Sequence, residues 1–274
     1  MSILCIDFMN AAHRARSGFQ AGDHAVVYNF FRQLKALVDQ FKPSRTYIVL
    51  EGRPVKRHEA LADYKANRVI EEDDPRREGL MKFFKQKDII VDILQRHMPV
   101  SVMRHPTSEA DDTIANLIRR STTAVEWIVV SSDTDFIQLL QEHDNVKLYN
   151  PVKKEFVTAP DCDYVTWKAL RGDSSDNIPG VPGVGDKTAE KIASDPDALK
   201  EFVLRPEVQP VFTRNYDLIR FSEWTDEERN AMTCSSPTKD WDAVKQTFES
   251  MGFASIVKEG SWQKFTTSFD PLFG

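Results

Sequence analysis

Nine carboxylates in this sequence fall where acid side chains can meet. Asp7 ends the apolar run "ILCID" (3–7), Glu51 ends the run in "RTYIVLEG" (45–52), and Asp133 and Asp135 close "EWIVVSSDTDF" (126–136). Glu109, Asp111 and Asp112 open the stretch "TSEADDTIANLIRRS" (107–121), while Asp173 and Asp176 stand directly before a run of glycines in "GDSSDNIPGVPGVGDKTAEKI" (172–192). Singly these acids are ordinary, since Asp often closes a strand and acids at a helix start favour its macrodipole. Together they repel. Two unit charges about 4 Å apart cost about 4 kcal/mol at an effective dielectric of 20, so a fold gathering them requires protonation or bridging cations. Oxygen-only ligands, with no Cys or His at ligand spacing, select a hard cation such as magnesium or manganese. Two such ions about 3.5–4 Å apart are a known arrangement for in-line phosphodiester cleavage.

The glycine run adds a second function. "GVPGVG" supplies a tight turn whose backbone N–H groups can face a phosphate, and Lys187 and Thr188 follow at the start of the next helix. This is the helix-hairpin-helix pattern, which grips a nucleic-acid backbone without reading its sequence. A cation between the carboxylates and the phosphate explains why both occur within twenty or so residues.

The elements that must position these groups read as an α/β fold. Buried strands at 3–7, 45–50, 100–104 and 126–136 alternate with helical spacing at 24–41, 78–97 and 107–121, which implies a mostly parallel sheet covered on both faces. In such sheets the C-terminal strand ends form the ligand crevice, and three of them carry acids. The stretch 69–79, "VIEEDDPRREG", is acidic and reads as mobile. Beyond about residue 158 strands are not expected; 161–172 reads as a helix and the rest as short helical pieces. The expected division is an α/β unit over 1–158 and a smaller helical unit over 159–274, with the tail from 255 either docked or a flexible arm.

The net charge of −6, from 36 basic and 42 acidic side chains, does not exclude a nucleic-acid partner, because setting aside the nine clustered acids leaves a mildly basic remainder. Cys5, Cys162 and Cys234 are odd in number and far apart, so free thiols in a reducing compartment are expected. "MSILCIDFMN" lacks a basic leader and no apolar run approaches about 18 residues, which points to a cytoplasmic protein.

On these motifs the sequence resembles the 5′ nuclease superfamily, which includes flap endonucleases, bacteriophage 5′→3′ exonucleases and the 5′-nuclease domain of bacterial DNA polymerase I. "CIDFMNAAHR" is similar to its first metal strand, "HEALADYKANR" to the segment at the base of its helical arch, "SEADD" to its acidic helix and "SSDTDFIQLL" to its D-x-D strand; "GDSSDNIPGVPGVGDKTAEKI" matches its most diagnostic stretch. The resemblance covers residues 3 to about 195. It implies a resolvase-like (PIN-like) α/β domain with an arch over about 53–98, plus a helix-3-turn-helix domain. It implies metal ligation by Asp7, Glu109, Asp111 and Asp133, completed by Glu51, Asp112, Asp135, Asp173 and Asp176, some through water. It implies phosphate contacts from Arg14 and Lys65, base stacking by Tyr64, and DNA contacts from Arg68, Lys168, Gly183, Val184, Gly185, Lys187 and Thr188. Two or more magnesium or manganese ions, and potassium on the hairpin, are the expected cofactors. The expected partner is DNA with a single-stranded 5′ end or flap, met by a monomer in a bacterial or phage-infected cell. Glu51 stands where the family usually has aspartate. A non-catalytic DNA-binding relative, an RNA-cutting nuclease and an aspartate-based phosphatase are the alternatives.

Overall fold

The computed structural model describes residues 1–19, 22–68 and 74–273. A seven-stranded sheet is built from β1 (Ser2–Asp7), β2 (Arg45–Leu50), β3 (Ser101–Arg104), β4 (Glu126–Val130), β5 (Val146–Asn150), β6 (Glu155–Phe156) and, much later in the chain, the two-residue strand Thr233–Cys234. β1 lies at the centre between β2 and β4, β3 lies beyond β2 and β5 beyond β4; these pairs are all parallel. β6 and Thr233–Cys234 close the two edges in antiparallel fashion. Thr233–Cys234 departs from the expectation that strands stop near 158: two residues are too short to leave a period in the sequence.

Helices α1 (Phe8–Arg16), α2 (Ala25–Phe41), α3 (Val55–Ala60), α4 (Arg77–His97), α5 (Ala110–Arg119) and α6 (Ile137–Glu142) connect these strands. The period-2 alternation of the strands separates two cores. Leu4, Ile6, Ile48, Val102, Ile128 and Val130 face α1, α2 and α4. Ile3, Cys5, Val49, Met103, Trp127, Val129 and Leu148 face α5 and α6. Of the acidic stretch at 69–79, residues 69–73 lie outside the described residues, and α4 begins at Arg77.

A helical unit follows: α7 (Tyr164–Arg171), α8 (Asp186–Ala193), α9 (Pro196–Val203), α10 (Gln209–Ile219) and α11 (Asp226–Asn230). Asp163 caps α7 by accepting the Thr166 N–H at 2.7 Å, which is why this helix starts later than the expected 161. Leu170, Val181, Ala189, Ile192 and Val208 form a small core of their own. Between α7 and α8, β7 (Gly172–Asp173) and β8 (Ile178–Pro179) pair antiparallel. Gly172 has φ +82°, and a Cβ there would lie 2.3 Å from the Gly180 nitrogen, so both the backbone and the space require glycine.

The last helices, α12 (Trp241–Ser250), α13 (Ala254–Val257) and α14 (Glu259–Phe269), do not join this unit. Phe248, Phe253, Ile256, Phe265, Phe269 and Leu272 enter the same cluster as Phe31, Leu34 and Ile90. The tail is thus docked, on the α/β layer rather than on the helical unit of the expected 159–274 division, because the apolar faces of α2 and α4 need a cover. Among the described residues no helix is long and apolar enough to cross a membrane, and the three cysteines are free thiols.

Phe265 is fully enclosed and packs its ring 5.7 Å from Phe248 and 5.2 Å from Phe269. Phe265→Ala is expected to lower unfolding free energy by about 3–5 kcal/mol in a urea titration; a change below about 1 kcal/mol would mean the tail is not part of the core.

Candidate metal centre

The chain moves from β1 outward to β2 and β3, then crosses back to β4 and β5, so a crevice opens beyond the C-terminal ends of β1 and β4. Asp7 sits at its centre. Its carboxylate accepts the Asn10 N–H at 3.1 Å, capping α1, and the Ser131 hydroxyl at 3.0 Å, bridging to the end of β4. The same Ser131 oxygen accepts the Asp133 N–H at 3.1 Å. The Asn10 amide donates to the Ser132 hydroxyl at 2.6 Å and its oxygen accepts the Ser132 N–H at 3.2 Å. These bonds hold Asp7 and Asp133 on adjacent walls.

Glu51 follows β2 and reaches the start of α5, where its carboxylate accepts the Ala110 N–H at 3.0 Å. That free N–H is one of the orphan donors of a helix N-terminus, and it explains how a glutamate is held here. Next to it Gly52 packs so closely that a Cβ would lie 1.9 Å from the His105 carbonyl oxygen. Glu109 is the N-cap of α5 and Asp111 comes from its first turn. The result is a cleft of about 800 Å³ whose walls include Asp7, Glu51, Glu109, Asp111 and Asp133, together with Arg14, Lys65 and Arg68. One oxygen each of Glu109, Asp111 and Asp112 lie within 4.8 Å of one another, as do oxygens of Asp135, Asp173 and Asp176.

Asp135, Asp173 and Asp176 form a second group beside the first. Lys168, on α7, is buried between Asp135 and Asp173, with its Nζ 2.7 Å from Asp173 Oδ2. Tyr64 and Lys65 link the two groups. The Tyr64 hydroxyl lies 2.9 Å from Glu109 Oε2 and 3.0 Å from Asp176 Oδ2, and Lys65 pairs with Glu109 while standing 3.6 Å from Asp176 Oδ2. Lys65 has φ +56°, a left-handed conformation that a non-glycine residue keeps only where its surroundings impose it; its N–H is fixed to the Asp176 carbonyl at 3.0 Å. Arg68 pairs with the other Asp176 oxygen at 2.5 Å.

Two expectations are corrected by this geometry. Tyr64 is buried and spends its hydroxyl on two carboxylates, so it does not present a ring for a base to stack on. Lys168 is not a surface contact for DNA but an internal counter-ion. Asp112 is buried outside the cleft walls and meets Arg57 and the Ser222 N–H at 2.7 Å, while one of its oxygens stays within 4.8 Å of oxygens of Glu109 and Asp111. The hairpin residues are open: Gly183, Gly185, Lys187 and Thr188 are exposed and Val184 is half-buried. Gly183 takes φ +79°, and no side chain caps α8, whose N-cap is Gly185. Arg14 is half-buried; its Nε donates to Gln33 at 2.8 Å, and its enclosed Nη1 has no partner among the described residues.

Sequence reasoning missed Arg57, a buried arginine in contact with Glu109, Asp111 and Asp112. It lies in the basic stretch 53–68, where nothing in the spacing sets it apart from Arg53 or Lys56. Ser131, Asn10 and Gln33 were also missed, having no motif of their own.

Charge crowding shows in the titration. Burial and the neighbouring Asp133 push Asp7 up to about 6. Burial, Asp7 and Glu109 push Glu51 up to about 7. Asp135 is raised to about 6 by burial, against the pull of Lys168, and burial lifts Asp111 as well. Glu109 differs: burial acts against its charge, but Arg57 and Lys65 overcome that and hold it at about 2.

Comparison with known proteins identifies the family. Residues 2–167 match the model of the 5′-3′ exonuclease N-terminal resolvase-like domain. The chain belongs to the 5′-3′ exonuclease family. Residues 159–219 match that family's C-terminal SAM fold. The chain is 30% identical over 258 residues to the thermostable DNA polymerase I of Thermus filiformis, covering 85% of this chain and 29% of the polymerase. It is 31% identical over 221 residues to DNA polymerase I of Streptococcus pneumoniae, covering 72% of this chain and 24% of that protein. It therefore spans less than a third of these relatives. Among solved structures, the bacteriophage T5 flap endonuclease in complex with DNA and metal ions superposes with TM-score 0.67 at 17% identity, covering 100% of this chain and 99% of that one. Human GEN1 in complex with Holliday junction DNA gives TM-score 0.58 at 13% identity, covering 98% and 72%. At these identities the shared property is the fold.

The raised carboxyls bind their protons more tightly folded than unfolded, so without metal their stabilising contribution is complete below about pH 4 and is lost as pH rises through 6 to 7. Glu109 has the opposite sign, but only below about 4.5. Divalent ions bind the charged forms. Saturating magnesium is thus expected to raise the melting temperature more at pH 8 than at pH 5.5, by several degrees, in scans against EDTA-treated protein. Equal or larger stabilisation at pH 5.5 would contradict the assignment of these acids to a metal site.

Proposed function

We propose that this exonuclease-family chain hydrolyses DNA phosphodiesters near 5′ ends, as a divalent-metal-dependent 5′→3′ exonuclease and flap endonuclease. The observation that carries this reading is the meeting of five carboxylates with Arg14 and Lys65 in one cleft. Asp7, Glu51, Glu109, Asp111 and Asp133 would hold the ions at the cleft. Asp135, Asp173 and Asp176 would contribute from the adjacent group as Lys168 and Lys65 yield. The oxygen-only donor set suits magnesium or manganese. Two such ions supply an activated water and stabilise charge on the departing 3′ oxygen.

The protein's own groups do the rest. Gln33 holds the Arg14 guanidinium at the wall of the cleft, where its charge would make a preorganised electrostatic contribution to a bound phosphate, although Nη1 itself is enclosed. Lys65 keeps part of its side chain exposed to the cleft, so a phosphate can compete with Glu109 and Asp176 for it. Arg68, more exposed, would meet the backbone of the incoming strand. The uncapped start of α8, with Gly183, Val184, Gly185, Lys187 and Thr188, would hold duplex DNA through its phosphates, with potassium on the same hairpin. The substrate would be DNA with a single-stranded 5′ end or flap, met by a monomer in the cytoplasm of a bacterial or phage-infected cell.

The test is incubation with a 5′-flap duplex, with and without magnesium. Cleavage should require the metal, and Asp111→Asn should reduce kcat by about 10²-fold or more while duplex binding in calcium is unchanged. Intact binding with no cleavage by the wild type under magnesium would remove the enzymatic reading.

A further inference from the structure

We infer that Arg57 is the positioning residue that orients the α5 carboxylates toward the cleft, an inference that rests on the metal-dependent reading above. Its guanidinium is enclosed, with a relative exposure of 6%, and it does not line the acidic cleft, so it acts through other side chains and not on the substrate. Nη1 pairs with Glu109 Oε2 and stands 3.0 Å from Asp112 Oδ2 and 3.5 Å from Asp111 Oδ1. Nη2 donates to Asp112 Oδ1 at 3.3 Å. Nε donates to the Leu218 carbonyl at 3.0 Å, at the end of α10.

One planar fork thereby joins three separate elements: α3, which carries it, α5 and α10. Glu109, Asp111 and Asp112 are neighbours in one helical turn and repel one another. Arg57 draws Asp112 and one oxygen of Glu109 backward, leaving Glu109 Oε1 and Asp111 at the cleft, where Lys65 already meets Oε1. The N–H directions of guanidinium are fixed, so a lysine at this place supplies charge without orientation.

Simple charge balance makes the opposite forecast. If Arg57 only offset negative charge, its removal would deepen the negative potential and tighten cation binding. If it orients the ligands, removal weakens cation binding.

Calorimetric titration of Mn²⁺ without DNA, on wild type, Arg57→Lys and Arg57→Gln, separates the two. Both variants are expected to bind Mn²⁺ about 10- to 100-fold more weakly, and to show a comparable fall in kcat on a flap duplex with KM within about threefold. Binding as tight as wild type or tighter in Arg57→Gln, or restoration by Arg57→Lys, would overturn the inference. Circular dichroism identifies a variant that has not folded; Arg57→Lys, which keeps the cavity charged, then decides alone. Failure of the wild type itself to bind Mn²⁺ and cleave would instead count against the functional reading.

Discussion

Mutual repulsion of carboxylates in the crevice of a parallel sheet is the constraint around which this molecule is arranged. Burial, and after it neighbouring carboxylates (Asp133 for Asp7, Asp7 and Glu109 for Glu51, Asp133 and Asp173 for Asp135), raises these acids to about 6–7. Cations relieve the repulsion from several sides: Arg57 from behind α5, Lys168 from α7, and Lys65 and Arg68 from the cleft wall that follows α3. Burying unlike charges is seldom a gain in stability by itself.

The same ion pairs hold the two parts of the chain together. Lys168 belongs to the helical unit but ends among acids that include Asp135, just past β4. Arg57 reaches the Leu218 carbonyl, and Asp112 receives the Ser222 N–H. Because α7 also leads, through β7 and β8, into the glycine-rich turn before α8, that turn and the acids are joined by a short stretch of chain. The closing helices α12 to α14 lie on the other face of the sheet and stiffen it there.

Much of this was legible in the letters. Strand-end acids and the glycine-rich turn have local signatures, since apolar runs, helix starts and turns are short-range features, and they located the cleft residues and the hairpin. The roles of Lys168, Tyr64 and Arg57 were not legible. Each depends on which way a side chain turns when distant segments pack, and a lysine destined for a buried ion pair looks the same in sequence as one facing solvent. Thr233–Cys234, paired with β3 across more than a hundred residues, and the docking of the tail on α2 and α4 are equally tertiary.

The most direct test of the central claim is a crystal structure of the protein soaked in manganese, read by anomalous scattering. The account predicts two peaks about 3.5–4 Å apart in the cleft, bounded by Asp7, Glu51, Glu109, Asp111 and Asp133, with Lys65 displaced from Glu109. An empty cleft at saturating manganese, with Lys65 still in place and ions only elsewhere on the surface, would contradict it.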